Sequence, residues 1–94
     1  MYGTIARMKI DPSKLQELIE VGQRMGTAPG QVAGYVYRMD ADPGEMFLVA
    51  VFESKEAYWA NAQSPEQNLR FMELRALLLE DPEWHDGEIV NEMT

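Results

Sequence analysis

The sequence predicts an α+β fold with the chain order βαββαβ, in which four strands form one antiparallel sheet. Three observations lead to this prediction. Stretches in which apolar residues recur every second position alternate with stretches in which they recur about every 3.6 positions. Capping residues precede the helical stretches, and turn residues join the two central strands. A chain of 94 residues is the size of one domain, and we assign residues 1–94 to it.

The first half of the chain predicts a strand, a helix and a second strand. Tyr2–Ile10 alternates with a period of two, as a strand does. Asp11 suits the N-cap of a helix over about Pro12–Met25, and Gly26 can close that helix in a left-handed conformation. A short loop then leads into the second strand, Gln31–Met39.

The second half predicts a hairpin, two helices and a last strand. Asp40–Gly44 consists of turn residues and connects the second strand to the third, Glu45–Glu53. A capping serine precedes each of two helical stretches, Lys55–Ala62 and Pro65 to about Glu80. Trp84–Met93 predicts the last strand. This order is that of the ferredoxin-like fold.

The last helix has an apolar stripe, which we expect to face the core. The stripe consists of Leu69, Met72, Ala76 and Leu79, widened by Phe71, Leu74 and Leu78.

The two hairpin strands are apolar on both faces, which is unusual for an antiparallel sheet with one face in water. Tyr35 and Tyr37 lie on one face of the second strand and Val36 on the other, and the third strand is similarly apolar. Helices cover only one face of such a sheet. We therefore expect the other face to pair with a second copy of the chain, in a homodimer burying roughly 1,600 Å².

Composition excludes several classes of function. A net charge of −8 disfavours nucleic acid and anionic membranes. With no cysteine and one histidine, the chain offers no ligand spacing for a metal site, and no phosphate-binding glycine loop is present. No apolar run is long enough to span a bilayer, and no signal-like segment opens the sequence, so we expect a cytoplasmic protein.

The segment FESKEAYWANAQSP, residues 52–65, resembles the antibiotic biosynthesis monooxygenase domain of the dimeric α/β-barrel superfamily. Gly34 and Tyr35, and the strand exit at residues 9–12, add to the resemblance. The chain departs from the family pattern where it has Phe52 in place of tryptophan, and Asn61 and Glu66 in place of histidines.

The resemblance implies a cofactor-independent monooxygenase that oxidises a small phenolic or quinol-type aromatic with O₂. No metal or flavin is expected, because the substrate supplies the electrons. The protein must then stabilise the substrate anion in a dry pocket. The alternative is a non-catalytic dimeric protein of the same fold that binds a small aromatic molecule or assists another enzyme.

Three residues are candidates for the catalytic chemistry, of which we choose His85 and Arg7. His85 has a side chain suited to a general base, or it is a surface histidine near a strand end. Arg7 and Arg38 lie inside strands, where either can stabilise an anion or form a salt bridge, and we choose Arg7.

Six further residues are candidates for binding an aromatic substrate in a pocket between helices and sheet. They are Tyr35, Tyr37, Phe52, Trp59, Asn61 and Phe71. For the aromatic residues the alternative is core or dimer-face packing. Asn61 can donate a hydrogen bond to a substrate oxygen, or it has a role near the helix end.

Overall fold

The computed structural model describes residues 1–93, which form a four-stranded antiparallel sheet with helices on one of its faces. The elements are β1 (Tyr2–Lys9), a short 3-10 helix (Pro12–Lys14), α1 (Leu15–Met25), β2 (Gln31–Arg38), β3 (Glu45–Phe52), α2 (Lys55–Ala62), α3 (Pro65–Arg75) and β4 (Glu83–Glu88). The strands lie in the order β2-β3-β1-β4. The predicted ferredoxin-like α+β fold is confirmed.

The connection between β1 and α1 is tighter than the sequence predicts. Asp11 accepts a hydrogen bond from the Ser13 backbone N–H at 3.0 Å, so it caps the 3-10 helix and the α-helix follows only at Leu15. Gly26 ends α1 with a φ of 67°, a conformation that disfavours other residues.

Turn chemistry closes the β2–β3 hairpin as predicted. The Gly44 N–H donates to the Asp42 side chain at 2.9 Å, and Lys9 on β1 donates to the same carboxylate at 2.7 Å. The Lys9 ammonium and the Gly44 N–H lower the pKa of the Asp42 carboxyl. The loop is thereby attached to the neighbouring strand.

Two elements are shorter than predicted, because other backbone contacts take over. Helix α3 ends at Arg75 rather than near Glu80, since Leu78 bridges to Ile10 and the Leu79 N–H donates to the Lys9 carbonyl at 2.9 Å. Strand β4 ends at Glu88 rather than Met93. Its only neighbour is β1, whose pairing ends where Tyr2 lies opposite Glu88.

Alternation along the strands divides the sheet into a helix-facing side and an open side. In β1, Thr4, Ala6 and Met8 are buried under the helices, and their neighbours in register on β3 share that side. The core cluster lies between this side and the helices. It comprises Ala6, Met8, Ile10, Leu18, Met46 and Leu78.

The predicted apolar stripe of α3 faces the core only in part. Leu69 and Met72 are about two-thirds exposed, and so is Leu79 beyond the helix end. Phe71 and Leu74, which widen the stripe, do face inwards together with Arg70 and line the space under the helix. The centre of the stripe points outwards, because it was chosen by hydrophobicity alone and assumed a helix continuing to Glu80.

Candidate functional site

A cavity of about 810 Å³ lies between the helices and the helix-facing side of the sheet. We call it the helix–sheet cavity. All three α-helices and all four strands contribute to its walls. Its volume is within the range of small-molecule sites, about 300–1,000 Å³.

The floor of the cavity is apolar because strand alternation sends every second side chain of the sheet towards it. Thr4 on β1 lies in register with Ala50 on β3, and Leu48 and Met46 continue the same row. Thr4 is the only hydroxyl residue among these strand positions in the lining.

Aromatic side chains form a large part of the wall. Tyr58 on α2 packs edge-to-face against Phe52 and Trp59, with ring centroids 5.4 Å and 5.2 Å apart. Phe71 on α3 lies 6.2 Å from the ring of Trp84 on β4. A flat apolar ligand would therefore meet ring faces and edges from both sides of the cavity.

Two serine caps place these helices. The Ser54 hydroxyl accepts from the Ala57 N–H at 3.0 Å and starts α2, while the Ser64 hydroxyl accepts from the Gln67 N–H at 3.1 Å and starts α3. Asn61 near the end of α2 donates to the Gln67 side chain at 3.2 Å. This bond joins the two helices at the cavity wall.

A polar cluster interrupts the apolar lining where α2 meets β4. The Tyr58 hydroxyl donates to Asp86 Oδ1 at 2.6 Å. Burial, and then this hydrogen bond, raise the pKa of the Tyr58 phenol. The nearby Thr4 hydroxyl lowers that pKa, but Thr4 Oγ1 has no hydrogen-bond partner among the described residues.

Arg70 on α3 is the one cation among the residues that line the cavity. It is partly buried and forms no ion pair within residues 1–93. A guanidinium in that position can stabilise an anion bound in the cavity. Sequence reasoning missed it because the helix face was chosen by hydrophobicity. A charged residue directly before the predicted inward Phe71 was the available signal.

Residues 1–73 match the family model described as antibiotic biosynthesis monooxygenase, which is well over half of the chain. The chain belongs to the antibiotic biosynthesis monooxygenase family. Among curated protein sequences, none matches significantly.

Solved structures share the fold. A protein of Chloroflexus aurantiacus J-10-fl assigned to the antibiotic biosynthesis monooxygenases is 23% identical, with a TM-score of 0.78 and coverage of 99% of this chain and 96% of that one. A Caulobacter crescentus CB15 protein with the same assignment is 16% identical, with a TM-score of 0.80 and coverage of 96% and 90%. SnoaB of Streptomyces nogalater, a cofactor-independent oxygenase solved as a mutant, is 16% identical, with a TM-score of 0.79 and coverage of 98% and 95%.

In this family member, four of the eight expected site residues lie at the helix–sheet cavity and four do not. The four at the cavity are Phe52, Trp59, Asn61 and Phe71. Tyr35 and Tyr37 are absent from the lining and project from the open side of β2, where they are 60% and 54% exposed. The expectation that both tyrosines line this pocket is corrected, because Tyr35 pairs with Val49 and Tyr37 with Phe47, on the side of the sheet away from the helices.

Arg7 and His85 also lie on the open side of the sheet, away from the cavity. Arg7 donates to Glu45 at 2.8 Å, and His85 Nε2 lies 2.8 Å from Glu83. The two strands carry them on the same face, since Ile5 pairs with His85 and Arg7 with Glu83. Neither Arg7 nor His85 belongs to the lining of the helix–sheet cavity, so the expectation that Arg7 points into it is corrected.

Residues 1–93 hold neither a cluster of metal-binding side chains nor a helix that fits a membrane. No group of three or more histidine, cysteine or acidic residues there is placed to hold a metal ion. None of the helices in that range is both long enough and apolar enough to cross a membrane.

Proposed function

We propose that this protein is a cofactor-independent monooxygenase that oxidises a small phenolic or quinol-type aromatic with O₂ in the helix–sheet cavity. One observation carries the proposal: a cavity of about 810 Å³, largely apolar and aromatic, has a single arginine in its wall. Family membership and the likeness to SnoaB, itself a cofactor-independent oxygenase, support it. The proposal takes residues 1–94 as one such domain.

The reaction balances without an external reductant. A phenol that loses its hydroxyl proton becomes an electron-rich anion, and that anion gives electrons to O₂. One oxygen atom then bonds to the ring carbon opposite the hydroxyl, and the other leaves as water with the two displaced hydrogens. The ring is oxidised to a quinone and O₂ is fully reduced.

The side chains of the cavity have matching roles in this proposal. A phenol has a pKa near 10, and ionising it at neutral pH requires about 4 kcal/mol of extra stabilisation of the anion. Arg70 supplies the charge for this, because it lines the cavity and has no carboxylate partner among the described residues. Trp59 and Phe71 hold the ring, and Asn61 offers a polar contact at the rim.

The alternative is a non-catalytic family member that binds a small aromatic molecule. One observation favours it: the single histidine of the chain lies outside the cavity, so no imidazole base faces a bound ligand. An accessory protein without a ligand site is less consistent with a cavity of about 810 Å³.

A homodimer through the open side of the sheet is part of the proposal. That side carries Ile5, Tyr35 and Tyr37, each about half exposed in the single chain. Phe47, Val49 and Val51 on β3 belong to the same face. An apolar patch of this extent favours a protein partner, and a second copy offers a matching surface.

A cytosolic location is also proposed, in keeping with the acidic, cysteine-free composition.

Oxygen consumption tests the proposed activity. A panel of naphthols, naphthalenediols and larger polycyclic phenols is incubated with the protein in an oxygen electrode. The expected result is uptake above the protein-free rate for at least one phenol, with one ¹⁸O atom from ¹⁸O₂ in the product. Binding without uptake across the panel would favour the non-catalytic alternative.

A further inference from the structure

A buried hydroxyl without a partner lies in the wall of the helix–sheet cavity. Thr4 is 5% exposed, and its Oγ1 is fully buried with no hydrogen-bond partner among residues 1–93. Such a group is unfavourable in the free protein, because folding has removed its water without replacing the hydrogen bond. Threonine at this position is therefore not explained by packing, since valine has the same shape without the hydroxyl.

The neighbours of Thr4 show what that hydroxyl faces. Tyr58 Oη donates its proton to Asp86 Oδ1 at 2.6 Å and keeps lone pairs that could accept from Thr4, but Thr4 Oγ1 is not placed to hydrogen-bond to it. Asp86 Oδ2 accepts no hydrogen bond from the described residues. The cluster thus presents one unused donor on Thr4 and one unused carboxylate acceptor on Asp86, both in the lining of the cavity.

We propose that Thr4, Tyr58 and Asp86 form a subsite that binds a neutral hydroxyl group of the aromatic ligand. The ligand hydroxyl donates its proton to Asp86 and accepts the proton of Thr4. Tyr58 is a positioning residue, because its hydrogen bond holds the carboxylate towards the cavity. This inference rests on the proposed function in one respect: the cavity must take an aromatic ligand.

Charge decides which form of the hydroxyl binds. An anionic oxygen at the subsite would lie beside the Asp86 carboxylate, and like charges at that distance repel. The hydroxyl bound there consequently stays protonated. The oxygen that ionises in the proposed reaction lies elsewhere, within reach of Arg70 on α3. The preferred substrates are therefore aromatics with at least two oxygen substituents, one of which is a free hydroxyl that does not react.

Calorimetric titration with three probes tests the subsite: 2-naphthol, 2-methoxynaphthalene and 2-naphthoate. They share one ring system and differ in whether the substituent donates a proton or carries a charge. We expect 2-naphthol to bind at least tenfold more tightly than 2-methoxynaphthalene, because only its substituent both donates and accepts, while 2-naphthoate measures how strongly Arg70 binds an anion in the same cavity. Equal affinities for 2-naphthol and 2-methoxynaphthalene would overturn the subsite.

Variants test whether the preference for 2-naphthol over 2-methoxynaphthalene, which we call the hydroxyl preference, depends on Thr4 and Asp86. Thr4→Val and Asp86→Ala should each reduce the hydroxyl preference at least fivefold, while their affinity for 2-methoxynaphthalene stays within twofold. Thr27→Val and Asp40→Ala are matched controls, because both residues are exposed and outside the cavity lining. A preference unchanged in Thr4→Val would overturn the assignment. Circular dichroism on each variant confirms that the fold is intact.

The two proposals fail in different ways. Hydroxyl discrimination without oxygen uptake would retain the subsite and remove the monooxygenase activity. Oxygen uptake without discrimination would do the reverse. If none of the three probes binds at millimolar concentration, the hydroxyl subsite is overturned whatever the oxygen electrode shows.

Discussion

The Tyr58 hydroxyl donates to Asp86 Oδ1 at 2.6 Å, and this bond connects helix α2 to the edge strand β4 across 28 residues of sequence. Because the phenol is also partly buried, its pKa is raised. Strand β4 otherwise pairs only with β1, so the bond is an additional attachment between β4 and the helical layer. Its loss should therefore lower the stability of the edge strand.

The raised pKa of Tyr58 predicts a specific loss of stability at alkaline pH. Above pH 10 the unfolded chain releases this proton before the folded chain does, so the free energy of unfolding falls as pH rises. Tyr58→Phe should remove this part of the slope. Urea unfolding at several pH values between 8 and 11 measures it. Tyr37→Phe is the control, since Tyr37 is exposed on the open side. Identical alkaline slopes for Tyr58→Phe and wild type would contradict the prediction.

Thr4→Val should stabilise the free protein. Replacing a buried hydroxyl that has no partner with a methyl group of similar size should raise the free energy of unfolding by about 1 kcal/mol. Urea unfolding in the absence of ligand measures the change, with Thr27→Val on the surface expected within about 0.5 kcal/mol of wild type. A destabilised Thr4→Val protein would show that the hydroxyl already has a hydrogen bond.

Gly3 and Gly87 lie opposite each other on β1 and β4, but they differ in the space around them. A Cβ on Gly3 would clash with the Ala50 carbonyl oxygen, whereas a Cβ on Gly87 meets nothing within 4 Å. Gly3→Ala should therefore cost at least about 2 kcal/mol of stability, because the β1–β3 backbone must shift. Gly87→Ala should be close to neutral. Thermal unfolding of the two variants tests this, and equal melting temperatures would contradict it.

Arg70→Gln should lower oxygen uptake at least tenfold if the arginine stabilises the substrate anion in the cavity. Arg7→Gln makes the same change on the open side of the sheet, where Arg7 is paired with Glu45. It should leave the affinity for 2-naphthol within about twofold of wild type. Oxygen-electrode rates and calorimetry on both variants compare the two arginines. If Arg7→Gln lost oxygen uptake and Arg70→Gln did not, Arg7 would be the catalytic arginine, as the sequence predicts.

Val49→Glu places a charge on the open side of the sheet, next to Tyr35 in register. If two copies pair through this side, the change should convert the dimer to a monomer at micromolar concentration. Sedimentation equilibrium measures the mass. Leu69→Glu is the control, because Leu69 is 65% exposed on the outer face of α3. A wild-type chain that sediments as a monomer would contradict the dimer.

Local rules determined the elements themselves. The serine caps, the turn residues 40–44 and the alternation of β1 are signals between near neighbours, and α2 spans Lys55–Ala62 as predicted. Element ends that depend on distant backbone were missed. Helix α3 stops at Arg75 because Leu78 bridges to Ile10 and the Leu79 N–H donates to the Lys9 carbonyl, and no neighbour in sequence reports these contacts.

The sequence by itself determined the fold class and the supply of aromatic side chains for a pocket. Only the tertiary structure decided which of them meet. Alternation puts Tyr35 and Tyr37 on one side of a strand, but the side that receives the helices depends on how the layers pack. The approach of Thr4, Tyr58 and Asp86 likewise joins β1, α2 and β4. Such contacts form between residues far apart in the chain, so the pattern of neighbouring residues does not predict them.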